Sequence, residues 1–216
     1  MKHHSRVLGN GRKRIELMNK VIEITVIVPI FNESDVIPEY SEAITSIIEE
    51  LPSRYSFRFL FVDDGSTDNS VDAIKGSFSH STYTVLSFSR NFGKEAALSA
   101  GIDHASGDVV IIMDVDLQDP PNLIPKFLAE WEAGYKVVYG VRSNRERDSW
   151  LKRKSALKFY GLFNKLSDIK IPTNAGDYRL LDRTVIAALR ALTFACFIST
   201  MEHSHTWHVF DLLYSI

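Results

Sequence analysis

The sequence predicts an α/β fold in which a mostly parallel sheet carries helices on both faces. Short apolar runs alternate with longer runs that have apolar residues at helical spacing, a pattern typical of strand–helix repeats. The short runs are almost continuously apolar, as expected for strands that are buried on both sides. A chain of 216 residues is long enough for one such domain.

The predicted elements follow one another in a regular order. Strands are predicted at residues 23–31, 58–62, 83–89, 108–116 and 135–142. Helices are predicted at residues 35–51, 69–78, 94–106 and 122–134. Ligands of such sheets bind outside the carboxyl ends of the strands, so the polar residues that follow each strand are the first candidates for a site.

Composition narrows the class of protein. The formal net charge is −2, so bulk charge gives no reason to expect a nucleic-acid partner. A single cysteine, Cys196, excludes an internal disulfide framework and fits a reducing cytoplasm. The composition, 45% hydrophobic and 24% charged, is that of a globular domain.

The two ends of the chain differ from its middle. Residues 1–21 form a basic extension without the apolar core of a signal peptide, and Met18 is an alternative start to Met1. We expect no transmembrane helix, since the best apolar stretch, residues 185–201, is short and contains Arg190. The expected location is therefore the cytoplasm.

The segment VVIIMDVDLQDPP, residues 109–121, runs from an apolar strand into acids. Asp114 and Asp116 are two residues apart, and on an extended segment such residues point the same way. Two adjacent carboxylates repel each other unless a cation lies between them. Mg²⁺ or Mn²⁺, hard cations that take oxygen ligands and often bridge carboxylates to phosphates, would suit the pair.

A second signal is VDDGSTDNS, residues 62–70. Gly65 permits a tight turn, and the residues after it offer oxygens that cap a helix. Two acids directly after the strand, Asp63 and Asp64, exceed what a turn needs. A carboxylate there can accept hydrogen bonds from a nucleobase or a ribose hydroxyl; the alternative is that both acids only cap the turn.

These segments together resemble the family 2 glycosyltransferases with a GT-A fold. TVIVPIFNES, FVDDGSTDNS and the stretch from SFSRNFGKEAALSAG to MDVDLQDPP carry the resemblance. VYGVRSNRERDSWLKR, KFYGLFNKLSD and NAGDYRLLDR are similar to the polyprenyl-phosphate branch, which includes bactoprenol glucosyltransferases and dolichol-phosphate mannose synthases. LQDPP favours the bactoprenol type. The resemblance covers about residues 22–190.

The resemblance implies roles for individual residues. The donor-binding set is Pro29, Phe31, Glu33, Asp63, Asp64, Lys94, Asp114, Gln118 and Arg142. Asp114 and Asp116 would hold the metal, and Asp116 and Asp177 would lie at the reacting centre. The acceptor phosphate needs cations, which the basic stretch 142–154 supplies, among them Arg145, Arg147 and Arg153.

The implied reaction is a metal-dependent, inverting transfer of a hexose from a nucleotide-sugar, UDP-glucose in the first instance, to a polyprenyl phosphate. Asp177 would either position the acceptor or deprotonate it. Residues 149–167 form either a basic amphipathic helix at the lipid–water interface or an ordinary packed helix. The first reading places the chain peripherally on the inner face of the plasma membrane; a homo-oligomer is left open.

After residues 188–192 the resemblance stops. We therefore expect an incomplete GT-A domain over 22–192, an atypical tail over 193–216 and a C-terminal truncation that puts transfer activity in doubt. One alternative is a non-catalytic remnant that at most binds a sugar nucleotide. Another is a haloacid-dehalogenase-type phosphatase with Asp114 as nucleophile, although that class expects its D-x-D on the first strand.

Overall fold

The computed structural model describes residues 20–141 and 175–200, and for residues 141, 175–177 and 192–200 it describes the backbone alone. The strands are β1 (Ile22–Ile30), β2 (Tyr55–Asp63), β3 (Tyr83–Ser87), β4 (Val109–Ile112), β5 (Val137–Val141) and β6 (Ala175–Asp182). The helices are α1 (Ile37–Glu49), α2 (Ser70–Ser77), α3 (Lys94–His104), α4 (Ile124–Glu132) and α5 (Arg183–Thr200), with a 3₁₀ turn at Pro121–Leu123.

All six strands belong to one sheet in the order β3-β2-β1-β4-β6-β5. β1 is parallel to both β2 and β4, and β2 is parallel to β3. β6 runs antiparallel to β4 on one side and to β5 on the other. The predicted mostly parallel α/β sheet is confirmed, but β6 was not predicted as a strand.

The sheet is buried on both faces, as its continuously apolar strands predicted. The larger core takes alternate residues of β1, from Ile22 to Ile30, together with Tyr40 of α1 and Trp131 of α4. The smaller core lies on the opposite face, where Ile27 of β1 packs in one cluster with residues of α3 and α5. Helices therefore cover both faces.

α3 lies close against the sheet because Gly101 has no side chain. A Cβ atom there would come within 2.5 Å of Cγ2 of Ile27. The same C-terminal part of the helix is held by Arg190 of α5, whose Nε and Nη2 donate to the Ile102 carbonyl at 2.8 and 2.6 Å. Nη2 also donates to the Ala105 carbonyl. A cation among the last carbonyls of a helix is favourable for both its hydrogen bonds and its charge.

One predicted strand ends well before its predicted boundary. The strand predicted over 108–116 ends at Ile112, so its predicted extent was wrong. Met113 donates one more backbone hydrogen bond to Ile27, and the chain then turns through Leu117, which has a φ of 56°. Residue 192, the predicted end of the domain, lies inside α5, which continues to Thr200, and the domain boundary stays a prediction.

Among the helices of the described ranges, none combines the length and the apolar character needed to cross a bilayer.

Candidate active site

A pocket opens at the carboxyl edge of the sheet, where the loops after β1, β2, β3 and β4 meet. It has a volume of about 270 Å³. Its lining consists of Pro29, Ile30, Phe31, Glu33, Asp64, Asn91, Gly93, Lys94, Ala97, Asp114, Val115 and Asp116. Polar groups that follow four different strands thus converge on one cavity, as the rule for parallel sheets predicts.

The two acids of the D-x-D motif line the pocket from the turn after β4. Asp114 Oδ2 lies 2.7 Å from Lys94 Nζ, which reaches it from the first residue of α3. Asp116 Oδ1 accepts a hydrogen bond from the backbone N–H of Gln118 at 3.1 Å. We expected both acids to face one site because they would lie on a strand. They do share the pocket, but a turn brings them there.

Asp64 joins the loop after β2 to the loop after β3. Its Oδ1 accepts the N–H of Phe92 at 2.7 Å and its Oδ2 accepts the N–H of Gly93 at 2.9 Å. The side chain is buried among these contacts. Asp64 therefore holds the segment that leads into Lys94 while also lining the pocket.

Gly65 permits this close approach of the two loops. Its φ is +73°, and a Cβ atom would lie 2.4 Å from the carbonyl carbon of Arg90. Asp63, its neighbour but one, points elsewhere: Oδ1 accepts the N–H of Ser66 at 2.9 Å. Asp63 thus stabilises the turn, and its predicted contact with the donor stays a prediction.

The loop after β1 is tied to the loop after β2 by a short hydrogen-bond network. Asn32, whose φ is 57°, donates its N–H to Ser66 Oγ at 2.9 Å and accepts the N–H of Thr67 on Oδ1 at 2.8 Å. Glu33 donates its N–H to Ser70 Oγ at 2.8 Å. These bonds fix the backbone on which the Glu33 carboxyl group is mounted.

Asp68 completes that network. Its Oδ1 accepts the N–H of Ser70 at 3.0 Å, and its Oδ2 accepts the N–H of Ser34 at 3.1 Å. Desolvation pushes the pKa of Asp68 upward, but the hydrogen bonds from Ser70 and Ser34 outweigh it and lower the pKa to about 2. The carboxylate is therefore ionised whenever the protein is folded near neutral pH.

The pocket has more acids than cations. Four carboxyl groups and one ammonium group, that of Lys94, are among the side chains that line it. The pKa of Glu33 is raised, first by desolvation and then by the charges of Asp116, Asp68 and Asp114. A site in which carboxylates repel one another in this way favours a cation.

The donor set fits a hard divalent cation that is shared with a ligand. Within the described residues, no three His, Cys, Asp or Glu side chains are grouped as a ready metal site. Asp114 and Asp116 offer two carboxylates, and Mg²⁺ is commonly held by one or two carboxylates with water and substrate phosphates. The residues present thus suit a metal that arrives together with a phosphate ligand.

Seven of the predicted site residues are brought together in the pocket: Pro29, Phe31, Glu33, Asp64, Lys94, Asp114 and Asp116. Gln118 does not line it, although its backbone N–H contacts Asp116. Arg142, Arg145, Arg147 and Arg153 lie outside the described residues. The side chain of Asp177 is not described either, but its backbone is part of β6.

The register of β6 places the backbone of Asp177. Arg179 pairs with Ile112, the last residue of β4, and Ala175 pairs with Val141. Asp177 lies between these pairs, so its backbone is at the same edge of the sheet as the turn that carries Asp114.

The sequence did not reveal the residues whose hydrogen bonds hold the pocket loops together. Ser66 and Ser70 receive backbone N–H groups from the first loop, and Gly93 donates its N–H to Asp64. Their residue types, small and polar or glycine, are the ordinary signals of turns. Nothing in that signal says which neighbouring loop a turn will bind.

The sheet, its helices and the acidic pocket at the carboxyl edge define a nucleotide-diphospho-sugar transferase fold of the GT-A class. Two solved structures share it. A mannosyltransferase of Pyrobaculum calidifontis in complex with GDP-Man and Mn²⁺ superposes with a TM-score of 0.53 at 21% identity, over 86% of this chain and 53% of that one. Glucosyl-3-phosphoglycerate synthase of Mycobacterium tuberculosis, with Mn²⁺ and UDP, superposes with a TM-score of 0.55 at 20% identity. The match covers 86% of this chain and 69% of that one.

Residues 25–190 match the model of glycosyl transferase family 2, and the chain belongs to that family. A bactoprenol glucosyl transferase of Shigella phage SfV is 45% identical over 172 residues. The match covers 79% of this chain and 55% of the relative, so the chain spans about half the length of that relative. Membership of family 2 rules out the phosphatase interpretation of the D-x-D motif.

Proposed function

We propose that the protein transfers a hexose from a nucleotide-sugar, with UDP-glucose as the first candidate, to a polyprenyl phosphate with inversion at the anomeric carbon. The observation that carries the proposal is the convergence of Glu33, Asp64, Asp114, Asp116 and Lys94 on one pocket of a family 2 domain. The name of the 45% identical relative supports a glucosyl donor and a bactoprenol acceptor.

The pocket residues would divide the donor between them. Phe31, which is 43% exposed, offers an aromatic face to a nucleobase, and Asp64 offers its remaining acceptor sites to base or ribose. Pro29 and Glu33 would contact the nucleoside from the end of β1. Gln118 and Arg142 remain predicted donor contacts.

Asp114 and Asp116 would hold Mg²⁺ or Mn²⁺ at the diphosphate. The Mn²⁺ in the two solved structures with the same fold supports a divalent ion of this kind. When bound, the metal supplies Lewis-acid neutralisation of the charge that develops on the departing nucleoside diphosphate. The carboxylates fix where that charge is neutralised, because the turn after β4 holds both of them at the pocket.

The acceptor places a smaller demand on the protein than a hydroxyl acceptor would. A phosphate monoester has a second pKa of about 6 and is largely ionised at neutral pH, so its oxygen needs little deprotonation. Asp177, mounted on β6 at the same edge, would therefore position the acceptor or take its last proton. Arg145, Arg147 and Arg153 would hold the acceptor phosphate, and residues 149–167 would contact the membrane at its inner face.

Calorimetric titration of UDP-glucose, with Mn²⁺ and then with EDTA, tests the donor half of the proposal. We expect binding that depends on Mn²⁺ and that falls by about 100-fold or more in Asp116→Asn, because even groups that only support metal ligands contribute roughly 10- to 100-fold. Asp72→Asn, on the exposed side of α2, is the matched control and should bind as the wild type does.

Transfer to polyprenyl phosphate is then assayed with the same proteins. Metal-dependent binding without any transfer favours the alternative, a domain that binds a sugar nucleotide and does not catalyse. Absence of binding with both UDP-glucose and GDP-mannose, in a sample that is folded by circular dichroism, contradicts the proposal altogether.

A further inference from the structure

Lys94 is paired with one of the two acids of the D-x-D motif. Its Nζ lies 2.7 Å from Asp114 Oδ2, with the two side chains 40% and 27% exposed. Lys94 is the one cationic side chain among the described residues that line the pocket, against four carboxyl groups. It contacts the acid that the proposed function assigns to the metal.

The ammonium group and a divalent cation make competing demands on Asp114. The ammonium group contacts Oδ2 of Asp114, and a metal ion bound to that oxygen would lie beside it, where like charges repel each other strongly. The Lys94–Asp114 ion pair and a metal ion bound through Oδ2 of Asp114 therefore exclude each other. A metal that takes Oδ2 of Asp114 as a ligand must move the ammonium group away.

We propose that Lys94 is the counterion of Asp114 until a divalent cation replaces it, and that Lys94 then turns to the diphosphate of the donor. This inference rests on the proposed function, because it needs a metal at Asp114 and an anionic donor in the pocket.

The local structure allows the ammonium group to move while the backbone stays. Lys94 follows Phe92 and Gly93, whose N–H groups are both held by the carboxylate of Asp64. The lysine side chain has four methylene groups, and it is the flexible part of this segment. Two neighbouring positions are thus open to the same charge: the carboxylate before metal binding and the diphosphate after it.

The position of Lys94 on its helix also points to an anion. It is the first residue of α3, an 11-residue helix. The positive end of the helix dipole disfavours a cation there and favours an anion. Asp114 is the anion beside this helix end in the structure. When the donor is bound, its diphosphate would take the same role.

The consequence is coupling between metal and donor. Without donor, a metal ion at Oδ2 of Asp114 must break the Lys94–Asp114 ion pair, which takes away part of its binding free energy. With donor, the diphosphate accepts the displaced ammonium group. Each ligand should therefore raise the affinity for the other, and by the same factor.

Direct Mn²⁺ binding tests the inference without any measurement of activity. The electron paramagnetic resonance signal of free Mn²⁺ is followed during titration of the wild type, Lys94→Met and Lys94→Arg, with and without UDP. Without UDP, we expect Lys94→Met to bind Mn²⁺ roughly two- to fivefold more tightly, the factor that corresponds to loss of an exposed ion pair. Lys94→Arg retains the charge and should bind as weakly as the wild type.

The effect of UDP should change in the opposite direction. UDP should strengthen Mn²⁺ binding by a larger factor in the wild type than in Lys94→Met, because the variant has no ammonium group to transfer. Lys126→Met, an exposed lysine of α4 that does not line the pocket, is the matched control and should leave both affinities unchanged. All variants are compared at equal circular-dichroism signal.

Two results overturn the inference and are distinguishable. If Lys94→Met binds Mn²⁺ no more tightly than the wild type while UDP binding still requires Mn²⁺, the role of Lys94 is wrong and the proposed function stands. If no protein, the wild type included, binds Mn²⁺ or UDP, the inference falls together with the proposed function.

Discussion

Two acids at opposite edges of the sheet, Asp182 and Glu33, are in opposite situations. At the amino edge of β4, Asp182 is buried and bonded on both oxygens: Trp131 Nε1 donates to it at 2.8 Å, and Lys136 Nζ lies 2.8 Å away. At the carboxyl edge, Glu33 faces other acids, and its pKa is raised. Asp182 thus stabilises the fold through its partners, whereas Glu33 lies among acids that disfavour its charge.

Charge partners explain the contrast. Burial alone would raise the pKa of Asp182, but its hydrogen bonds with Lys136, Thr184 and Trp131 outweigh burial and lower it to about 2. Asp108, beside Lys20 and near Arg183 at the same edge, also has a lowered pKa. At the amino edge, Asp108 and Asp182 lie beside lysine or arginine side chains. The pocket at the carboxyl edge has four acids and one lysine in its lining.

The largest effect is expected at Asp182. Replacing it by Ala removes the first-turn acceptor for Thr184 of α5 and leaves the indole N–H of Trp131 and the ammonium group of Lys136 without this partner. Breaking such a buried pair costs about 3–5 kcal/mol of unfolding free energy. Chemical denaturation measures it, with Asp72→Asn as control; an unchanged midpoint in Asp182→Ala would contradict the structural role.

The same carboxylate predicts a pH dependence. Because its native pKa is about 2, below the ordinary 3.8, its stabilisation is complete above pH 4 and is lost as pH falls toward 2. We expect the wild type to lose about 2 kcal/mol more than Asp182→Asn between pH 5 and pH 2. Parallel stability curves for the two proteins would show that Asp182 does not titrate in this way.

A smaller effect is expected from Gly65→Ala. The substitution combines a positive φ with a contact of 2.4 Å to the backbone of Arg90, so the loops after β2 and β3 must separate. Strain of this kind costs roughly 1–3 kcal/mol. We expect a lower Tm and weaker binding of UDP-glucose, both measurable on one sample.

Gly76→Ala is the matched control for that variant. Gly76 lies in α2, and a Cβ atom there would meet nothing within 4 Å. Alanine is the better helix former, so the Tm should stay the same or rise. If both glycine variants weaken donor binding equally, the contact between Gly65 and Arg90 is not what shapes the pocket.

The smallest effect, and the one of opposite sign, is expected from Glu33→Gln. The pKa of Glu33 is raised above its ordinary value of 4.5, because burial and the nearby acids disfavour the charge. The ionised carboxylate therefore lowers the stability of the protein at pH values above 4.5. At pH 7 the free energy of unfolding of the variant should equal that of the wild type or exceed it by up to about 0.5 kcal/mol. A loss of stability comparable to that of Asp182→Ala would abolish the distinction between the two edges.

The sequence predicted the fold and the edge at which the site lies, because both depend on patterns that a single chain displays. The end of β4 was mispredicted for a physical reason. Met113 and Val115 are 0% and 2% exposed, so the alternation of apolar and acidic residues continues into the turn after the backbone pairing has ended. Residues 113 and 115 are thus buried without belonging to the strand. The alternating sequence pattern indicates which residues are buried, not which are paired with a neighbouring strand.

Other details were beyond a single sequence because they depend on distant partners. Asp63 and Asp64 are adjacent acids, yet one caps its own turn and the other binds a loop 28 residues further along the chain. β6 lies between β4 and β5 in the sheet and pairs with both, so its partners are strands that precede it in the chain. Neither outcome has a local signal.

The hydrogen bonds of Arg190 fix the C-terminal end of α3, and the helix connects that end to the pocket. With 11 residues it is about 16 Å long, and it carries the pocket lysine at one end and the carbonyls held by Arg190 at the other. Gly101, near the same end as these carbonyls, packs directly against Ile27 of β1. The position of the pocket lysine therefore depends partly on Arg190, a residue that does not line the pocket.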